Sequence, residues 1–393
     1  MSDTASPVRP RAIVIGGSLG GLFAGAVLRQ SGWDVDIFER SKGDLDSRGG
    51  GIVLQPDVVE LFARVGVDIA AMDLGVVSRD RIVIDPDGSI GSRQLAPQTQ
   101  TSWSLIYGTM RKVFGDQHYH RGKRLTDIQQ SVSSPRVTAT FEDSSSVTGD
   151  LLIGADGGQS TVRALLWPNA EPCYAGYVAW RGLLAENLMP PVTRASLLGD
   201  FAFATSDQSH MLGYLVPGER NDTRPEHRIY NWVWYRAVER SQLRSVMTDV
   251  VGRYRGTSVP EGLLSPQWRD RIWLEADALL PPAFRDLVRA TPEPFVQAIQ
   301  DLTVESMVKD RVVLLGDAAF IPRPHTAAST SKAAANALML GDALTGNRNI
   351  DAALAAWQPH QLRLGYRLYE DGSSVGDHLL FGGAPARRAR LRP

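Results

Sequence analysis

The stretch Arg11–Arg40, RAIVIGGSLGGLFAGAVLRQSGWDVDIFER, decides the fold. It opens on Ala12, Ile13, Val14 and Ile15, a continuous apolar run of the kind a parallel strand carries when both faces are buried. The turn that follows is nearly all glycine. Against the dinucleotide pattern GxGxxG, Gly16 and Gly21 hold the first and third slots and Ser18 stands in the second. Such a turn leaves the strand sharply and lets a pyrophosphate approach the backbone. It also starts a helix whose unpaired N–H groups and positive dipole end face the phosphates. Leu19, Leu22, Phe23, Ala26 and Val27 recur at helical spacing, so a helix is predicted after the turn, with Gly32 stopping it. Val35, Ile37 and Phe38 then predict a second strand ending on Glu39, where an acid about twenty residues beyond the glycines binds a ribose hydroxyl pair.

The chain of 393 residues, 43% of them hydrophobic, has material for roughly two or three domains' worth of core. A formal net charge of −1 gives no reason to expect nucleic acid or an anionic membrane as partner, so a small substrate is expected. The single cysteine, Cys173, cannot form an internal disulfide; a reducing compartment is expected, with an inert buried thiol favoured over a catalytic one. Met1–Pro10 is polar and lacks the apolar core of a signal peptide, and no segment approaches the roughly eighteen continuous apolar residues of a membrane span. A cytoplasmic protein is expected.

Beyond the first unit, Ser47–Leu54 (SRGGGIVL) is a glycine-rich loop running into a short strand. Arg48 there can lie against a phosphate or the edge of a cofactor ring, although a flexible loop with a solvated arginine explains the composition equally well. Pro56–Val65 predicts a short helix. Arg79–Trp103 predicts strands with a turn at Asp85-Pro86-Asp87-Gly88, Tyr107–Phe114 a helix, and Val137–Gly149 a hairpin. His118 and His120 form an HxH spacing without further ligands nearby, and no metal site is expected. A second strong motif, Leu151-Leu152-Ile153 followed by GADGGQSTVR to Arg163, joins a buried strand, a tight Asp-Gly turn and a Ser/Thr helix cap.

From Tyr174 to about Trp268 the chain reads mainly as β. Tyr230, Trp232 and Trp234 fall on one face of an alternating strand, with Asn231, Val233 and Tyr235 on the other. One face is expected to line a pocket, and Trp180, Tyr214, Trp232 and Trp234 are the candidates to touch substrate, while plain core is the competing reading for large aromatics. The third motif is RVVLLGDAAF at Arg311–Phe320. A proline-fixed loop, Pro322-Arg323-Pro324-His325, follows it, and then a predicted helix over Thr326–Leu344 with Ser329, Thr330 or Ser331 as cap. The rest is predicted helical to about Asp371, ending in a polar, arginine-rich tail at Ala386–Pro393.

GGSLGG, GADGGQSTVR and RVVLLGDAAF, in this order and at these spacings, together resemble the signatures of the FAD-dependent aromatic hydroxylases, the single-component class A flavoprotein monooxygenases. The resemblance covers nearly the whole chain. It implies an α/β fold: a Rossmann-like FAD-binding domain with an inserted, mainly antiparallel β-sheet substrate domain and C-terminal helices. On that pattern residues 1–75, 106–173 and 269–371 form the FAD-binding domain with C-terminal helices. Residues 76–105 and 174–268 form the substrate domain, and 372–393 the tail. Within the family, GGSLGG with its serine, YAGYVAWRG and the PRPH run resemble the 2,6-dihydroxypyridine 3-hydroxylases.

The resemblance implies FAD, with NADH or NADPH as reductant. It puts Gly16, Ser18, Leu19 and Gly21 at the pyrophosphate and Glu39 with Arg40 at the adenosine ribose. Gly154, Asp156 and Arg163 serve FAD and the nicotinamide cofactor, and Gly316 and Asp317 hold the ribityl and pyrophosphate part. Pro324, Ala327, Ala328, Ser329 and Thr330 approach the flavin, where a helix N-terminus aimed at the pyrimidine edge stabilises the negative charge of reduction. The family's Gly-Gly-Gln-Gly, Asn and Glu-Asp appear in register as Thr326-Ala327-Ala328-Ser329, Ser331 and Ala335-Asn336, which alters the electrostatics there. The family's helix arginine near the pyrophosphate is Gly108 here, and Arg111, one turn on, is the candidate to replace it.

The implied activity is hydroxylation of a small hydroxylated aromatic or N-heteroaromatic ring through a flavin hydroperoxide, with the substrate and molecular oxygen as partners and a homodimer left open. His325 is the candidate catalytic residue, to orient or deprotonate the substrate, because imidazole titrates near neutrality and two prolines fix its loop; a structural histidine is the alternative. An epoxidase or Baeyer–Villiger-type enzyme on the same scaffold is separated by product structure. A peroxide-producing oxidase is separated by whether a ring is hydroxylated. A flavin redox sensor would have no need of the aromatic substrate domain.

Overall fold

The computed structural model describes residues 9–43, 45, 50–130, 135–347 and 349–382; Arg48 and the Ala386–Pro393 tail lie outside them. A six-stranded sheet runs in the order Val308–Lys309, Val312–Leu314, Leu151–Gly154, Arg11–Ile15, Asp34–Glu39, Tyr119–Arg121. Ile15 pairs with both Gly154 and Phe38, and Gly154 with Leu314, all in parallel. Three strands in parallel register end together. The turns that follow them, at Gly16, Ala155 and Leu315, therefore meet on one edge, which is how motifs far apart in sequence build one site. Each strand is fully buried along its apolar run, as the absence of alternation implied. Helix Leu19–Gln30 follows the glycine turn and strand Asp34–Glu39 ends on the predicted acid.

On strand Asp34–Glu39, next to the edge strand, Asp36 accepts hydrogen bonds from Arg11 (2.7 Å), His118 (3.0 Å) and His120 (2.9 Å). Among the described residues no group of histidine, cysteine or acidic side chains is placed to hold a metal. Burial works to raise the Asp36 carboxyl. Hydrogen bonds from His120, Arg11 and His118 overcome it and lower the group from 3.8 to about 2. This stabilisation is complete above the ordinary carboxylate value and is lost as pH falls through about 2. Asp36→Asn is expected to cost about 1 kcal/mol at neutral pH after allowance for solvent screening. Urea melts should show that gap closing in strong acid.

The second sheet has nine strands: Ser258–Val259, Phe295–Asp301, Cys173–Ala185, Ile229–Ala237, Ser209–Val216, Phe201–Ser206, Val76–Ile84, Ile90–Ser102 and Gly51–Val53. All pairings are antiparallel except that of Phe201–Ser206 with Val76–Ile84. The region expected to be mainly β also holds helices Pro191–Leu197 and Arg240–Val246. The sheet continues past the expected boundary at Trp268, since Phe295–Asp301 pairs with Cys173–Ala185. Helices Pro266–Leu279 and Pro282–Ala290, which lie between, pack their apolar residues on this sheet. Cys173 is exposed rather than buried, because it sits at the first position of its strand.

Helix Trp103–Phe114 starts four residues earlier than predicted, with the Ser102 hydroxyl accepting from the Leu105 N–H. Strands Leu125–Gln130, Val137–Phe141 and Ser146–Gly149 form a third sheet, the last two being the predicted hairpin. The long helix Ile350–Phe381 carries Pro359 inside it and runs from the first core to the nine-stranded sheet, where Leu380 packs with Tyr177 and Tyr235. Among the described residues no helix is long and apolar enough to cross a membrane.

Candidate active site

The three turns open onto a cleft of about 670 Å³, within the range of small-molecule and cofactor sites. Gly16, Ser18, Leu19, Glu39, Arg40, Asp156, Gly316, Asp317, Pro324, Ser329 and Thr330, all expected at the site, line it. Helix Leu19–Gln30 begins at Ser18 with no side-chain cap, and helix Ser329–Gly346 begins at Ala328 likewise. Both helices therefore present first-turn N–H groups that no capping side chain satisfies. Ser331 is no cap: its hydroxyl donates back to the Ala328 carbonyl at 3.2 Å. Glu39 accepts from the Gly17 and Ser41 N–H groups, both at 2.8 Å, which fixes the carboxylate and leaves lone pairs for further donors.

Asp156 accepts from the Thr161 N–H at 2.6 Å and the Val162 N–H at 3.1 Å, capping the helix after the second turn. Burial pushes its carboxyl up, against the pull of Ser160 and the backbone donors. Asp317 is held by the Lys332 ammonium at 2.8 Å. That ammonium, 2% exposed as a residue, also donates to the Phe320 carbonyl, and burial lowers its pKa. A buried cation one turn into the helix was not foreseen, because a lysine on a helix normally reads as solvated.

Several expected contacts fall elsewhere. Gly21 packs the helix onto the turn, since a Cβ there would lie 1.9 Å from the Gly16 oxygen, and Gly154 packs against Val162; neither lines the cleft. Arg163 is turned inward and donates to the carbonyls of Ala170 (2.9 Å), Ala318 (3.0 Å) and Gly158 (2.6 Å), bracing the second and third turns. Arg111, the candidate to replace the family arginine, does not line the cleft. Its guanidinium lies 3.9 Å over the Tyr119 ring and bonds the Gly115 carbonyl and Asp116. Lys123 and Arg124 line the cleft instead. Ala327, in the left-handed region at φ 52°, and Ala328 form the bend into the helix without lining the cleft.

The tryptophans are corrected as well. Trp180, Trp232 and Trp234 lie on the face of the nine-stranded sheet that packs against Pro266–Leu279 and Pro282–Ala290. The indoles of Trp232 and Trp234 donate to Thr291 (2.9 Å) and Ser209 (2.8 Å). They are core. The opposite face carries Tyr177, Arg181, Val233 and Tyr235, with Tyr214 and Asn231 cross-strand neighbours. Tyr214 and Asn231 press on Gly51, whose N–H donates to the Asn231 oxygen at 3.1 Å. Arg181 lines the cleft and bonds Gln297 at 3.1 Å, while its Nε and the Asn231 Nδ2 are buried without a protein partner. His325 reaches this face, 2.8 Å from the Tyr177 hydroxyl and with its ring 4.6 Å from that of Tyr235.

These observations fit FAD: two helix starts without side-chain caps, a fixed ribose-type acid, a glycine turn without room for a Cβ, and a polar-lined face beyond the third turn. A family model described as FAD binding domain-like matches residues 174–301. The 2,6-dihydroxypyridine 3-monooxygenase of Paenarthrobacter nicotinovorans is 35% identical over 96% of this chain and 94% of its own. The 6-hydroxynicotinate 3-monooxygenase of Bordetella bronchiseptica is 26% identical over 92% of this chain and 87% of its own. The solved structure of 2,6-dihydroxypyridine-3-hydroxylase from Arthrobacter nicotinovorans aligns with a TM-score of 0.89, covering 98% of this chain and 96% of that one. With a relative this similar along almost its full length, the chain belongs to the FAD-dependent aromatic hydroxylases and is an FAD-dependent monooxygenase.

Proposed function

We propose that this enzyme spends NADH or NADPH to hydroxylate a small hydroxylated N-heteroaromatic ring of the 2,6-dihydroxypyridine kind with molecular oxygen. The observation that carries the reading is Arg181, which lines the cleft from a polar and aromatic sheet face shared with Tyr214, Asn231 and Tyr235, with His325 packed against that face. It is supported by the relative that is 35% identical over 96% of this chain, a 2,6-dihydroxypyridine 3-monooxygenase. Bound FAD would supply electron storage and oxygen activation.

The protein's own part is binding, orientation and exclusion of water. Ser18 and the first N–H groups of Leu19–Gln30 would hold the pyrophosphate, and Glu39 with Arg40 the adenosine ribose. Asp317, pinned by Lys332, would take the ribityl chain, and the start of Ser329–Gly346 would face the flavin's pyrimidine edge. Burial pushes the Tyr214 hydroxyl up to about 12 and that of Tyr235 higher still, so both stay protonated and can donate to oxygens on the ring.

Glu39→Ala is expected to weaken FAD binding about 10- to 100-fold, the scale of hydrogen bonds to a charged group, as read by flavin fluorescence during titration of apoprotein. The substrate reading is tested by incubating the FAD-loaded enzyme with NADH, 2,6-dihydroxypyridine and isotopically labelled dioxygen. A hydroxylated product carrying the label is expected. An unchanged ring would remove this substrate.

A further inference from the structure

The Pro322–His325 loop brings His325 against the sheet with its two ring nitrogens in different situations. Nε2 lies 2.8 Å from the Tyr177 hydroxyl. Nδ1 is buried and has no protein partner, and neither has the Thr326 hydroxyl beside it. A buried imidazole nitrogen without a protein partner, on a ring packed against the sheet face that carries Arg181, is a position where a ligand atom can complete the hydrogen bonding.

The direction of the Tyr177–His325 bond follows from what else faces that hydroxyl. Tyr177 is 0% exposed, and burial pushes its hydroxyl pKa well up against the counter-pull of Arg323, so it keeps its proton. The Arg323 guanidinium lies 5.6 Å from the centre of the Tyr177 ring, and its Nη1 flanks Gly376 together with the Tyr177 hydroxyl; a guanidinium carries only donors, so the hydroxyl turns its lone pairs toward that cation. The Asp301 carboxylate is turned to Arg323 Nε (2.9 Å) and Nη2 (2.8 Å) and makes no hydrogen bond with the Tyr177 hydroxyl, which is paired with His325 Nε2. The Tyr177 lone pairs therefore face Arg323 and its proton goes to Nε2 of His325. With that lone pair taken, a neutral imidazole carries its own proton on Nδ1. The alternative, an imidazolium, would stand buried near the Arg323 cation. Burial, with His210 and Arg323 adding to it, lowers His325 to about 3, which keeps the ring neutral. His210 is also held neutral by burial, at about 4, and bonds Thr205 at 2.9 Å.

We infer that His325 is a neutral N–H donor, through Nδ1, to an oxo or oxyanion oxygen of the substrate, and that Tyr177 is the positioning residue that fixes this tautomer. A general base needs a free lone pair, and this histidine has none to offer. The inference rests on the proposed substrate reading and narrows it: the ring enters already in its oxo or anionic form, having left its proton in solvent, and His325 selects for that form. A 2-pyridone carbonyl or a phenolate meets the requirement, whereas a neutral hydroxyl that must first be deprotonated by His325 does not.

The tautomer is measured directly by nitrogen NMR of FAD-loaded protein with labelled histidine, the His325 signals being assigned by their loss in His325→Asn. A proton on Nδ1 and a bare Nε2 at neutral pH are expected, with Tyr177→Phe shifting the pair toward a tautomer mixture. A proton on Nε2, or on both nitrogens, overturns the inference. The second arm measures binding of 2,6-dihydroxypyridine to holoenzyme by flavin absorbance. Asparagine places an amide N–H near the position of Nδ1, so His325→Asn should bind within a few-fold of wild type while His325→Leu loses about 10- to 100-fold. Equal binding by all three, with turnover lost in both variants, would mean that His325 is a base and would overturn the donor role. Should the wild-type holoenzyme not bind 2,6-dihydroxypyridine, the substrate reading falls, and the nitrogen signals alone decide for or against the Nδ1–H tautomer.

Discussion

Gly16→Val is expected to yield protein that does not retain FAD. Gly16 has φ 103°, a region side chains avoid, and a Cβ there would lie 2.4 Å from the Ala155 oxygen and 2.8 Å from the Asp156 Cα. Those atoms are backbone of the neighbouring turn, itself bound in register through Ile15 and Gly154, so the clash cannot be relieved by moving a side chain. The strands must part or the turn must unwind, and either displaces the helix start that faces the phosphates. A stability loss of about 2–4 kcal/mol and an FAD affinity lower by at least about 100-fold are expected, read by flavin absorbance after gel filtration and by titration. Gly108→Ala is the matched control. Nothing lies within 4 Å of a Cβ there, and in helix Trp103–Phe114 the change should stabilise by about 0.5–1 kcal/mol with FAD retained.

Arg323→Met is the second large effect. The guanidinium is 1% exposed and ties three elements together, bonding Asp301 on the sheet at 2.8 and 2.9 Å and Asp377 on the long helix at 2.6 Å. Removing one member of a buried ion network leaves charge without a partner, and about 3–5 kcal/mol of stability should go with it. The loop that carries His325 loses its anchor at the same time. Combining Arg323→Met with Asp301→Asn and Asp377→Asn should restore much of the stability, because the uncompensated carboxylates are gone, yet leave substrate binding weak. Urea melts and ligand titrations on the single and triple variants separate the two contributions.

The strand ends were legible because their signals are local: an unbroken apolar run, a glycine turn and a helical period adjoin in sequence at Arg11–Gln30 and again at Leu151–Arg163. That these ends meet follows from parallel register, which no single segment encodes. The face of the strand Ile229–Ala237 was not legible. It is aromatic on both sides and buried on both sides, so alternation separates Trp232 and Trp234 from Asn231 and Tyr235 without saying which set packs under helices as core. Packing of helices Pro266–Leu279 and Pro282–Ala290 against the tryptophan side settles it. Arginines were misread for a related reason. Arg163 and Arg111 stand near the turns in sequence, but main-chain carbonyls at Ala318 and Gly115 capture them, and such acceptors leave no trace in composition. Lys332 and the Arg323 network likewise depend on partners that only the folded chain brings within reach.

Oxygen chemistry in this enzyme is proposed to be spent on a ring of the hydroxypyridine class. The most direct test follows NADH consumption by FAD-loaded enzyme with and without 2,6-dihydroxypyridine while recording hydrogen peroxide in the same cuvette. The ring is expected to accelerate consumption with little peroxide appearing, one hydroxylated product for each NADH. Accelerated consumption recovered wholly as peroxide, or no acceleration at all, would contradict it.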